Sequence, residues 1–117
     1  MSAGKYDITI DQGSDFELTL VIKDGGNFRN LTGYLARGHL RASMDTAQYW
    51  AFDFSGSTYD EYGTLVMKLA HDVTADNGHT TLSEGNYFYD VEVYKSDDSE
   101  VERILQGKAK VTREVTR

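Results

Sequence analysis

Three histidines, His39, His71 and His79, bound what this chain can do by proton transfer or imidazole ligation. With no cysteine in its 117 residues, thiol nucleophiles, disulfides and Cys-based zinc or iron-sulfur sites are excluded. The tightest grouping is His71, Asp72, Asp76 and His79, where one loop could offer a metal both imidazoles and carboxylates. Its spacing matches no diagnostic ligand pattern, and a solvated polar loop accounts for the same residues. Asp97, Asp98 and Glu100 form a second acidic group with oxygens suited to calcium, but the ligand order of an EF-hand does not surround it. A carboxylate-rich hairpin tip that keeps a sheet soluble explains it equally well. The remaining nucleophiles are Ser, Thr, Tyr and Lys. None sits in a Gly-x-Ser-x-Gly elbow, a phosphate-cradling Gly-x-x-x-x-Gly-Lys loop or a dinucleotide fingerprint. The expectation is a protein that is not an enzyme, with no cofactor and no metal assigned.

Contact chemistry is better represented. Eight Tyr, five Phe and one Trp are more aromatic side chains than one small core can hide. Tyr49, Tyr59, Tyr62, Phe88 and Tyr94 fall outside the inward-facing series described below, and exposed tyrosine is favoured at protein interfaces. Arg37, His39 and Arg41 form the one local basic stripe. It could receive an acidic partner, although pairing with Glu or Asp on a neighbouring strand is the plainer reading. The protein-contact candidates are therefore Tyr59, Tyr62, Phe88, Tyr94, Arg37 and Arg41, with the terminal segments Tyr6 to Ile10 and Lys108 to Arg117 as strand-addition or docking segments. The same rings could form a sugar platform, but no paired polar residues can be located around them.

Charge and hydropathy remove other partners. Twelve Lys and Arg against nineteen Asp and Glu leave a formal charge of -7, which repels a phosphate backbone, so no nucleic acid is expected. No run approaches the ~20 apolar residues of a membrane helix, and Met1 to Tyr6 lacks the apolar stretch of a signal peptide. Neither a membrane nor export by that route is expected.

What must position these residues is a set of short strands. The chain has no proline, so Gly, Asn and Asp must make the turns. They cluster at Asp24-Gly25-Gly26, Gly56-Ser57, Asn77-Gly78, Glu84-Gly85-Asn86 and Ser96 to Ser99. Between them, apolar residues recur every second position. The series are Tyr6, Ile8 and Ile10; Phe16, Leu18, Leu20 and Ile22; Tyr34, Ala36, Gly38, Leu40 and Ala42; Trp50, Phe52 and Phe54; Leu65, Met67 and Leu69; and Tyr87, Tyr89, Val91 and Val93. Beyond residue 100, either Val101, Arg103 and Leu105 or Glu102 and Ile104 face inward, and Ala109, Val111 and Val115 close the chain. Seven to eight strands with no long helix predict a single all-β domain over 1-117, a two-sheet antiparallel β-sandwich. Its expected core is Phe16, Leu18, Leu20, Leu40, Phe52, Leu65, Met67, Tyr89, Val91 and Leu105.

Four segments together carry a resemblance: Tyr6 to Phe16, Leu31 to Arg37, Leu82 to Val93 and Leu105 to Arg117. Leu82 to Val93 fits a Gly-x-Tyr-x-Tyr-Asp-x-Glu strand, although Ser83 and Glu84 stand where a proline is usual. The chain resembles the small immunoglobulin-like β-sandwich proteins of tailed bacteriophages, nearly end to end, with residues 43-63 least alike. The resemblance implies a non-enzymatic structural protein of the virion, assembled in the host cytoplasm. It would serve as a tail, baseplate or neck ring, a collar or a fibre adaptor. Its expected partners are other virion proteins and further copies of itself in a symmetric homo-oligomer. The alternative from another class is a carbohydrate-binding module for host-surface glycans, using exposed aromatics and the 71-79 loop.

Overall fold

In a computed structural model, residues 4-71 and 82-113 are described; Asp72, Asp76, His79 and Val115 lie outside them. The described chain is all-β, an immunoglobulin-like sandwich of two facing layers. Its strands are β1 (Gly4–Lys5), β2 (Ile8–Asp11), β3 (Phe16–Val21), β4 (Lys23–Asp24), β5 (Asn27–Phe28), β6 (Tyr34–Arg41), β7 (Trp50–Ala51), β8 (Thr64–Leu69), β9 (Gly85–Lys95) and β10 (Val101–Thr112). Six of these have four residues or more; the others are two-residue pairings that pin loops. The large sheet runs β1-β10-β9-β6-β7, with β2 also on β10, and the second layer pairs β3 with β8. The Asp24-Gly25-Gly26 turn closes a small hairpin, β4 on β5.

The period-two series choose the inner faces. Leu40, Leu65, Met67, Val91 and Val93 are fully covered, and Phe52, Tyr89 and Leu105 are buried with them. Phe16, Leu18 and Leu20 are only half-buried, because β3 is an edge of a two-stranded layer among the described residues. Ala42 lies beyond the end of β6 and is exposed, so it leaves the inward series. Leu31 and Leu82 are loop residues, yet both are wholly buried. Gln12, the buried polar residue of the core, donates from Nε2 to the Leu82 carbonyl at 2.8 Å, satisfying a group that would otherwise cost stability.

Two features depart from a simple antiparallel reading. β2 runs parallel to β10, with Ile8 opposite Ala109 and Ile10 opposite Val111. The chain then leaves that sheet through Gln12 to Ser14 to supply β3 to the other layer. The Trp50, Phe52 and Phe54 series also bridges both layers. Trp50 and Ala51 pair with β6, whereas Asp53 exchanges backbone hydrogen bonds with Lys68 of β8, each at 2.9 Å. In the open register after residue 100, Val101 and Arg103 face outward and Ile104 inward, and Leu105 then joins the buried side. A bulge between Arg103 and Leu105 puts Ile104 and Leu105 on the buried side together.

Close approach explains two glycines. A Cβ at Gly38 would sit 2.8 Å from the Asp90 carbonyl oxygen and 3.3 Å from the Phe52 ring. A Cβ at Gly107 would collide with the Tyr6 carbonyl, the group that accepts a hydrogen bond from the Tyr89 hydroxyl. Burial pushes the Tyr89 phenol well above its ordinary pKa, so it remains a donor there. Tyr87 anchors the corner before β9, its hydroxyl donating to the Ser83 carbonyl at 2.8 Å. Tyr87→Phe should therefore cost about 1 kcal/mol of unfolding free energy while the fold is kept. Leu40→Ala, which empties a filled core site, should cost roughly 2 to 5 kcal/mol in the same denaturant titration. Equal losses would show that the corner hydroxyl bears more than one hydrogen bond's share.

Candidate functional site

The outer face of the large sheet gathers most of the contact candidates. β9 pairs with β6 on one edge and β10 on the other, so outward side chains of three strands align in rows. Leu35, Tyr94 and Val101 make an apolar row beside the β9-β10 turn. Next come Arg37, Glu92 and Arg103, then His39, Asp90 and Gln106, then Arg41, Phe88 and Lys108. Leu35 is 41% and Val101 47% exposed, one on each strand flanking Tyr94.

Ion pairs and ring contacts fix the charged rows. Arg37 Nε donates to Glu92 at 2.9 Å, and its guanidinium lies 4.4 Å from the Tyr94 ring centroid. The Glu92 carboxylate raises the Arg37 pKa further, keeping it a permanent cation. Arg103 Nε stands 3.4 Å from Asp90. The basic stripe thus meets acidic neighbours on β9, as the plainer reading holds for Arg37. His39 stacks on Tyr49 with ring centroids 4.0 Å apart, and Arg41 lies over the same ring at 5.1 Å while donating to the Thr46 carbonyl at 2.6 Å. The far rows border an open groove of about 760 Å³, with Phe88 and Gln106 on its floor and Lys5, Arg41, Arg103 and Lys108 around it.

Arg37, Arg41, Phe88 and Tyr94 therefore share one surface, whereas Tyr59 and Tyr62 lie apart from it. Tyr59 is half-buried against the core, its hydroxyl accepting the Ala36 N–H at 3.1 Å. Held there with a φ of 51°, it is half-buried, which corrects the expectation of an exposed ring. Tyr62 is 55% exposed but sits edge-on to Phe28, 6.0 Å away, at the β4-β5 hairpin. Of the terminal segments, Ile8 to Asp11 and Ala109 to Thr112 pair with each other, so β10 is paired on both edges there, while among the described residues β2 pairs on its β10 side alone. Residues 114-117 lie outside the described range.

The acidic groups are engaged locally. His71 is held by Asp15, whose Oδ1 accepts the His71 backbone N–H at 2.7 Å and lies 2.9 Å from Nδ1. Asp97 Oδ1 accepts the Ser99 N–H at 2.9 Å, and Glu100 accepts the Tyr34 hydroxyl, with Lys95 Nζ 3.6 Å away. Among the described residues, no three His, Asp or Glu side chains are grouped to hold a metal.

Glu92, Asp90 and Arg103 complete the face and were not among the sequence candidates, and Lys108, which opens the expected docking segment 108-117, joins them. Asp90 and Glu92 occupy outward parity positions, which was the available signal; the parity of Arg103 was open, and the register that joins them was not legible. Arg29 was also missed. It bonds Glu102 at 2.6 Å and packs over Tyr34, bracing the root of the β9-β10 hairpin.

No protein-family profile and no curated protein sequence matches the chain. Among solved structures, it is similar to the extracellular domain of the voltage-gated sodium channel beta4 subunit, at 12% identity over 98% of both chains with a TM-score of 0.45. Murine CRIg is similar at 9% identity over 91% of this chain and 92% of that one, with a TM-score of 0.42. A family 123 glycoside hydrolase from Clostridium perfringens matches at 10% identity and a TM-score of 0.43, with 97% of this chain covering 24% of the enzyme.

The loop that carries Tyr59 and Tyr62 has its own electrostatic clasp. Asp60 accepts the Thr58 hydroxyl at 2.8 Å and the Tyr62 N–H at 3.0 Å. The Thr58 hydroxyl chiefly holds its carboxyl below the ordinary 3.8. A depressed folded-state pKa stabilises the fold above the ordinary value, and that contribution is lost as pH falls through 3.8 and then through the folded value. Asp60→Asn should therefore unfold more readily than the parent at neutral pH, with the gap narrowing below about pH 4 in thermal scans. A gap that is constant across that range would remove the clasp.

Proposed function

We propose that this chain is a non-catalytic contact module that works through the outer face of β6, β9 and β10, with a protein as its partner. The observation that carries the reading is the cross-strand surface of Leu35, Tyr94 and Val101 beside the Arg37-Glu92-Arg103 row. Tyrosine and arginine are enriched at interface cores and among the residues that dominate binding energy. Here an arginine is held flat on a tyrosine by a carboxylate, so little side-chain entropy remains to be lost on binding. Two outward rings, half-buried Tyr94 and exposed Tyr49, are capped by the cations Arg37 and Arg41, which favours a protein surface over a stacked sugar.

The resemblance in sequence to phage β-sandwich proteins supplies the setting we propose: a structural component of a tailed virion, in a tail, baseplate or neck ring or at a fibre junction. Repetition of one modest face around a symmetric particle raises effective affinity without a large single contact. The carbohydrate-binding alternative shares the aromatic residues and is separated by experiment.

The test is incorporation of Arg37→Glu with Tyr94→Ala into tailed particles. Both side chains lie on the exposed face, so the unfolding midpoint should move by only a few degrees. Incorporation should fall at least tenfold. Particles that lack the parent chain altogether, or unchanged incorporation of the double variant, would overturn the reading. Saturable glycan binding by the parent, lost in the same variant, would favour the carbohydrate module.

A further inference from the structure

We propose that the acidic tip of the β9-β10 hairpin of one copy docks into the basic groove of a second copy, joining the molecules head to tail. This rests on the contact-module reading and names the partner for one half of the face. The rows beside the turn, which carried that reading, are left for other partners.

Charge selects the occupant. The groove carries Lys5, Arg41, Arg103 and Lys108 against Asp7, Asp90 and Glu92, a positive balance on a chain whose formal charge is -7. Arg103 is matched by Asp90 and Arg41 is tied to Thr46, whereas among the described residues no ion pair engages Lys5 or Lys108. Phe88, half-buried on the floor, lowers the local dielectric and strengthens attraction to a carboxylate that enters. At the tip, Asp97 and Asp98 are adjacent and exposed, on a tight turn in which Asp98 takes a φ of 59°. The Ser99 hydrogen bond keeps Asp97 ionised.

The tip is also prepared to bind. Lys95 N–H bonds the Glu100 carbonyl at 3.0 Å and Asp98 N–H bonds the Lys95 carbonyl at 2.8 Å. The Tyr34-Glu100 and Arg29-Glu102 contacts brace its root. A rigid tip loses little conformational freedom on docking.

Geometry makes the contact intermolecular. Phe88 and Asp97 lie on one continuous hairpin, and at ~3.3 Å per residue about 23 Å of paired strand, from Phe88 to Lys95, separates Phe88 from the turn that carries Asp97. β9 is bonded on both edges and cannot fold back, so a copy's own tip never reaches its own groove. A tip-to-groove contact is heterologous. Repeated, it closes into a ring or continues as a filament.

Two charge reversals test the proposal: Asp97→Lys with Asp98→Lys at the tip, and Lys5→Glu with Lys108→Glu in the groove. In sedimentation velocity at low salt, the parent should associate with rising concentration and dissociate as salt screens the contact. Each reversed variant alone should be monomeric. An equimolar mixture of the two should associate again, because each then offers the charge that the other needs; this also shows that both variants are folded. In the cysteine-free background, Asp98→Cys mixed with Lys108→Cys should crosslink at least fivefold more than either alone. A parent that stays monomeric at all concentrations, reversals that assemble like the parent, or a mixture that fails to associate would overturn it. If the tip reversal enters particles normally while Arg37→Glu with Tyr94→Ala does not, self-docking is wrong and the contact module stands. If both enter normally, the contact module fails as well.

Discussion

Strand β9 is hydrogen-bonded along both edges, and a pleated strand held that way cannot choose which side chains it hides. Tyr87, Tyr89, Val91 and Val93 face the second layer; Phe88, Asp90, Glu92 and Tyr94 form the middle column of the outer face. Core and contact surface are thus two readings of one stretch of eleven residues. A slip of one residue would put Asp90 and Glu92 in the core, where unpaired carboxylates cost several kcal/mol by order of magnitude. The register that positions the site is therefore enforced by burial behind it.

The rest of the fold holds β9 in place. β10 is gripped on its far edge by β1 and β2, and the Tyr89 hydroxyl reaches across Gly107 to the Tyr6 carbonyl, tying core, last strand and first strand together. Because the bulge at Ile104 shifts the parity of β10, Arg103 and Gln106 lie on the same outer face despite being three residues apart. Without that bulge, Gln106 and Lys108 would turn inward and the groove would lose one wall.

Much of this was legible in the chain. Alternation identified β3, β6, β8 and β9, the Gly-Gly turn located the hairpin at residues 23-28, and the inner series named most of the core. Phe88, Tyr94, Arg37 and Arg41 were legible as outward residues one by one. Their union was not, since pairing Arg37 with Glu92 depends on a register between strands some fifty residues apart. The same blindness to long-range pairing hid the parallel partner of β2. The register of residues 101-105 stayed open in the sequence at the place where the bulge lies. Tyr59, Leu31 and Leu82 lie in loops, where burial has no period to read.

The chain's lack of cysteine permits one direct measurement of the central claim that β9 parity separates core from contact face. Single cysteines placed in turn at Asp90, Val91, Glu92 and Val93, with Thr19 on the outer face of the second layer as a reference, can be timed with a thiol reagent, free and in the assembled state. The account predicts rapid labelling at 90, 92 and 19 and slow labelling at 91 and 93 in the free protein, with assembly protecting 90 and 92 alone. Equal labelling along β9, or protection at position 19 in place of 90 and 92, would contradict it.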